Sequence, residues 1–241
     1  MNLSDEPRDD KRRAPPLFNA PSIVTALIIA LVGCQIVIEA LPDRAQYFVA
    51  RFGSVSPHLF LSGLRDGSNW LMTAAPLFTH IFIHADWSHL FLNSIWLLAF
   101  GAPTAIRLGA GRRLFDVPSA VFLLFFLLSG AVGALAFVVA NMTLNTLLIG
   151  ASGGVSGLLG ALVRSAFHRQ YGHANVRQPF ARLADSRVIV ASVVILAMNF
   201  VVGVFGALAP GGAEIAWEAH MGGYLFGLFA FTFFARLARR Y

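Results

Sequence analysis

Apolar residues run along this chain in six stretches of about twenty, each bounded by charge, proline or glycine: Ser22 to Leu41, Trp87 to Leu108, Pro118 to Ala140, Ala151 to Phe167, Val188 to Ala209, and Ala216 to Leu237. A helix of roughly 20 residues crosses the hydrocarbon core of a bilayer. The pattern therefore predicts an all-α polytopic membrane protein, with residues 1–20 as a tail and 21–241 as a six-transmembrane-helix bundle. The first stretch follows the basic "RDDKRRAPP". It is long for a signal peptide and lacks a small-residue cleavage site, so it reads as a retained span.

Composition agrees with that solvent: 57% of residues are hydrophobic and 12% charged, against about 25% charged in a soluble domain. The net charge of +6 does not point to nucleic acid, because the basic residues form no long patch interleaved with aromatics. They follow the membrane instead. Four lie in the tail (Arg8, Lys11, Arg12, Arg13), three in "RLGAGRR", five from Arg164 to Arg187 and three in "RLARRY". Fifteen of the eighteen thus fall on one side of a six-span model, which places both termini and the loop of about residues 168–187 in the cytoplasm. The other three, Arg44, Arg51 and Arg65, lie in a segment of about residues 42–86 that is placed outside. That first loop is too long and too apolar for a simple turn, and amphipathic or re-entrant structure is expected in it. Cys34, alone of its kind, excludes an intrachain disulfide and reads as a small packing residue.

Three of the spans carry polar groups near their outer ends: His89 and Asn93 in "HLFLN", Ser152 in "GASGG", and His220 in "EAHMGG". Such groups within a bilayer face the bundle interior and have a partner or a task. Counting from the first arginine at each inner end at ~1.5 Å per residue puts Ser152, Asn93 and His220 at ~18, ~21 and ~24 Å, a shared level below the outer boundary. Small residues at four-residue spacing, Gly153, Gly157 and Ala161 in the fourth span and Ala219, Gly223 and Gly227 in the sixth, allow these two helices to approach closely. Packing along those stripes brings Ser152 beside His220, as general-base activation of a serine requires. Backbone N–H groups at the start of the fourth helix, that of Gly153 among them, and the side chains of His89 and Asn93 on one face of the second span are candidate oxyanion donors.

These residues resemble the rhomboid intramembrane serine proteases. The likeness lies in G-x-S-G as "GASG" (Gly150 to Gly153), H-x-x-x-N as "HLFLN" (His89 to Asn93) and A-H-x-G-G as "AHMGG" (Ala219 to Gly223), and extends over the chain from Ser22 to Leu237. It implies a rhomboid-like bundle with a long external first loop, Ser152 as nucleophile and His220 as base of a dyad without a carboxylate. It further implies an oxyanion site at His89 and Asn93, and a turn shaped by Gly150 and Gly153. The implied substrates are single-pass transmembrane proteins, cleaved near their outer ends in the cell (inner) membrane with no metal or organic cofactor. His80 and His84 in "FTHIFIH" look like the histidine-bearing end of the family's first loop. Two positions depart from the pattern: "AAP" (Ala74 to Pro76) stands where many bacterial members have a Trp-Arg pair, and Ser156 where many have an aromatic packed on the imidazole.

Other assignments weigh less. His80 and His84 at i, i+4 lack a third ligand for a metal and read as structural. Glu218 lies on a different helical face from His220 and is a poor third member. Asp86 and Trp87 read as interface anchors, and Asn141 opens an "NMT" sequon. A catalytically inactive client-binding relative and a small transporter are the rival classes. The first predicts loss of Ser152 or His220, and the second predicts internal repeats and polar groups at the midplane; the sequence has neither.

Overall fold

The computed structural model describes residues 20–67, 70–144, 146–167, 180–208 and 215–239. The tail of residues 1–19 and most of the loop expected in the cytoplasm, residues 168–179, lie outside the described residues.

The helices, in chain order, are α1 (Ser22–Ala40), α2 (Asp43–Gly53), α3 (Pro57–Asp66), α4 (Trp70–Ala74), α5 (Pro76–Thr79), α6 (Trp87–Trp96), α7 (Ala102–Leu108), α8 (Val117–Ala140), α9 (Ser152–Ala166), α10 (Ser186–Leu208) and α11 (Trp217–Ala238). A 3-10 turn at His80–Phe82 precedes α6, and a π-helical turn at Leu97–Gly101 carries α6 into α7 as one rod. The described residues contain no β-strand, and their one isolated bridge pairs Val55 with Leu148.

Five rods are long and apolar enough to cross a bilayer: α1, α6 with α7, α8, α10 and α11. The fourth apolar stretch forms the shorter α9, fifteen residues that begin at Ser152. Chain ends pair consistently. The Ser22 hydroxyl donates to the Arg112 carbonyl (2.7 Å), and Ala181 N–H to that of Arg164 (3.1 Å). At the other end the Trp87 indole donates to Glu39 (2.9 Å), and Leu148 exchanges both backbone bonds with Val55 (2.9 and 3.1 Å). Successive rods therefore alternate in direction.

Local chemistry sets the boundaries. Asp86 and Asp116 cap α6 and α8, accepting from the N–H groups of His89 (2.8 Å) and Ser119 (2.9 Å). Gly109 closes α7 in the left-handed conformation. The expected interface anchors thus have particular partners, a cap for Asp86 and Glu39 for Trp87. The segment of residues 42–86 folds into four short helices and the 3-10 turn. Its α2 exposes Tyr47, Phe48 and Phe52, and α4 exposes Trp70, Leu71 and Met72, an apolar surface suited to a membrane interface.

The core is built by α8, α9 and α11. Phe122, Phe125, Phe126, Leu158 and Phe231 are fully buried, with Phe125 ringed by Phe226, Phe231 and Phe234. The buried hydroxyls of Ser129 and Ser165 are satisfied within their own helices, on Phe125 and Ala161 (both 2.8 Å). In contrast, α1 and α10 turn Ile29, Ile36, Val37, Val190, Val194 and Met198 outward, as a lipid-facing surface does. Cys34 is half-buried and lines an apolar groove between α1 and α2.

Helices α9 and α11 approach each other backbone to backbone along their glycines. A Cβ on Gly223 would stand 2.0 Å from the Gly153 carbonyl oxygen, and one on Gly227 would stand 1.9 Å from that of Gly157. Gly227→Ala should therefore lose about 1–3 kcal/mol of stability or fail to fold. Gly111→Ala, where a Cβ meets nothing within 4 Å, should leave the thermal midpoint in detergent micelles unchanged. Equal midpoints for the two variants would refute the contact.

Candidate active site

The glycine contact fixes the two side chains at one of its ends. Ser152 is the first residue of α9, and His220 lies one turn inside α11. Its Nε2 stands 2.8 Å from the Ser152 hydroxyl oxygen. Both residues are half-buried. The other imidazole nitrogen, Nδ1, lies 3.0 Å from the side-chain oxygen of Asn199 on α10. An amide oxygen only accepts, so Nδ1 carries the hydrogen and Nε2 is left with the lone pair that receives the serine proton. This is the tautomer that a general base needs.

The approach to Ser152 depends on Gly150. Its φ of +103° is a left-handed conformation that side chains rarely adopt, and a Cβ there would sit 2.8 Å from two atoms of the His89 ring. The Asn93 amide nitrogen is 3.8 Å from the same point. His89 and Asn93 thus lie against the turn two residues before the serine. Asn93 is buried, and its amide donates one hydrogen to the His89 carbonyl (3.0 Å), leaving the second N–H uncommitted by that bond. The turn is held from behind, where Gly150 N–H donates to the His80 carbonyl (2.9 Å) and Leu148 pairs with Val55. Gly153 follows the serine in the first turn of α9, where backbone N–H groups have no intrahelical acceptor.

The remaining candidates fall around this centre. His80 is buried and its Nδ1 bonds the Pro76 carbonyl (2.8 Å). His84 is buried and packs edge-on against His89, with ring centroids 5.2 Å apart. Among the described residues, no three His, Cys, Asp or Glu side chains are placed to hold a metal. The Glu218 carboxylate points away from the imidazole and accepts from the Asn141 amide (3.3 Å), which also donates to Phe137. The asparagine of the sequon is therefore buried and engaged. Asn199 escaped the sequence reading, although a signal exists. It lies twelve residues past Arg187, or ~18 Å, the level found for Ser152 by the same count.

Compared with known families, residues 72–237 match the Rhomboid domain. No curated protein matches the chain.

The two buried histidines of the first loop have a consequence for stability. Burial pushes His80 down to about 4 against the upward pull of the Pro76 and Leu77 backbone, and it pushes His84 to about 4 with the His89 ring adding to the effect. Unfolded, both titrate near the ordinary 6.5. Between these values the unfolded chain binds more protons, so stability is full above roughly pH 6.5, falls as pH drops toward 4, and loses no more from these groups below that. Thermal midpoints at roughly pH 7.5, 5.5 and 4.5 should show this slope, and His84→Phe should flatten it. An unaltered slope in the variant would rule out the assignment.

Proposed function

We propose that this chain, which belongs to the rhomboid family, is an intramembrane serine endopeptidase that cleaves single-pass transmembrane proteins near their outer ends. The observation that carries the reading is the 2.8 Å contact between Ser152 and His220 Nε2, made between two helices of a bundle whose outer surface is apolar. The polar pair has no role in packing that a small apolar pair would not fill. In hydrocarbon it is expensive unless it has a task.

The chemistry follows from the geometry. His220 Nε2 accepts the Ser152 proton as the hydroxyl oxygen attacks the scissile carbonyl, and a tetrahedral intermediate forms with negative charge on the former carbonyl oxygen. N–H groups at the start of α9, with the side chains of His89 and Asn93, are the donors nearest that charge. His220 then passes its proton to the leaving amine as the C–N bond breaks. A water activated by the same imidazole hydrolyses the acyl-enzyme. No residue in this cycle requires a metal or an organic cofactor.

We place α9 as a sixth, shorter span, so that its serine starts below the outer boundary and remains within reach of water. Orientation follows the basic residues. Arg112, Arg164, Arg187 and Arg239 gather at the end of the bundle where Ser22 meets Arg112 and Arg239 covers Phe180. By the positive-inside rule that end is cytoplasmic, which puts both termini inside and the segment of residues 42–86 outside; the cell (inner) membrane is the location that the family resemblance implies.

Reconstituted with a fluorogenic transmembrane peptide, the protein should cleave it, and Ser152→Ala should abolish turnover. Asn93→Ala should lower kcat roughly 10²-fold with KM little changed, because its bond to substrate forms in the transition state. Turnover that survives Ser152→Ala would exclude this mechanism, and a rise confined to KM in the Asn93 variant would exclude the oxyanion role.

A further inference from the structure

One face of α10 is unlike the rest of that helix. Val188, Ser192, Ile195, Asn199 and Gly203 follow at offsets of four, three, four and four, which is a single stripe along a helix. The stripe faces α11. Val188 is buried, the Ser192 hydroxyl lies 2.8 Å from the Tyr224 hydroxyl, and Asn199 reaches His220. A Cβ on Gly203 would fall 2.4 Å from the Trp217 ring. The opposite face, with Val190, Val194, Met198 and Val201, is exposed.

Among the described residues two polar links join α10 to α11, and they differ in what they hold. Ser192–Tyr224 joins two neutral hydroxyls remote from Ser152 and acts as interhelical glue. Asn199 holds the one ring nitrogen whose protonation decides whether the opposite nitrogen can act as a base. Imidazole without such a partner distributes its hydrogen between the two nitrogens, and the Nε2–H form cannot accept from Ser152.

We infer that Asn199 is a positioning residue for His220, which fixes the base in its Nδ1–H form from the neighbouring helix α10. The inference deepens the protease reading and rests on it for its kinetic arm.

Three variants and two readouts test it. Asn199→Ala should lower kcat roughly 2- to 10-fold with KM within about twofold, as expected when the base is in the wrong tautomer much of the time and substrate contacts are intact. Ser192→Ala, which cuts the other link on the same stripe, should keep kcat near wild type even where it lowers the thermal midpoint. Asn199→Asp keeps an acceptor for Nδ1–H and should retain activity at high pH. Its carboxylate favours the protonated ring, so the acidic limb of its pH–rate profile should move to higher pH. In the second readout, nitrogen-15 NMR of histidine-labelled protein, with His220 assigned by its loss in His220→Ala, should show Nδ1–H in wild type and a tautomer mixture in Asn199→Ala. A wild-type tautomer in Asn199→Ala, or a loss of kcat matched by Ser192→Ala, would overturn the inference. Absence of wild-type turnover would instead sink the protease reading, and the NMR arm would still decide whether Asn199 sets the tautomer.

Discussion

Two backbones pressed together without intervening side chains are the constraint on which the rest of this molecule depends. Where Gly223 lies on the Gly153 carbonyl and Gly227 on that of Gly157, the separation of α9 and α11 is set by main-chain atoms alone. Main-chain atoms have no rotamers to adjust. A hydroxyl at the first residue of one helix and an imidazole one turn into the other are therefore held at hydrogen-bond distance by the scaffold. The α8 helix completes the arrangement from a third side, its Gly133 lying under the Ala219 carbonyl. In lipid, where no hydrophobic force drives helices together, such close van der Waals packing is what association can draw on.

The first-loop segment performs a different service. It touches the site through the backbone of its partner, the turn from Leu148 to Gly150, and through the histidines at its end. A two-bond bridge from Val55 and the His80 carbonyl secure this turn on the side away from the serine. Gly150 can then hold its left-handed conformation with the His89 ring in the space a side chain would need. A long, apolar segment thus serves to stabilise three residues of backbone.

Much of this is legible in the sequence because the membrane is a severe solvent. Apolar length gives the rods within a residue or two, from α1 at Ser22 to α11 ending at Ala238, and small residues at four-residue spacing mark the faces of α9 and α11 that meet. What escapes is whatever depends on short-range geometry instead of burial. The π turn inside the second stretch and the four short helices of residues 42–86 carry no periodic signature long enough to read. Asn199 is a different kind of omission. A lone amide within "VVILAMNFVVGV" has no family motif around it, and only its depth connects it to the serine.

The unequal packing of the rods also bears on how the molecule meets membranes of different thickness. Mismatch between a protein and its bilayer is relieved by tilting helices, at fractions of a kcal/mol per Å. The rods with the smallest buried share, and so the freest to tilt, are α10 and α1, while α8, α9 and α11 are clamped by glycine. A change of lipid would thus leave the serine and the imidazole at the same spacing and fall first on the helix that bears the amide, so that the surrounding bilayer itself has a lever on the imidazole.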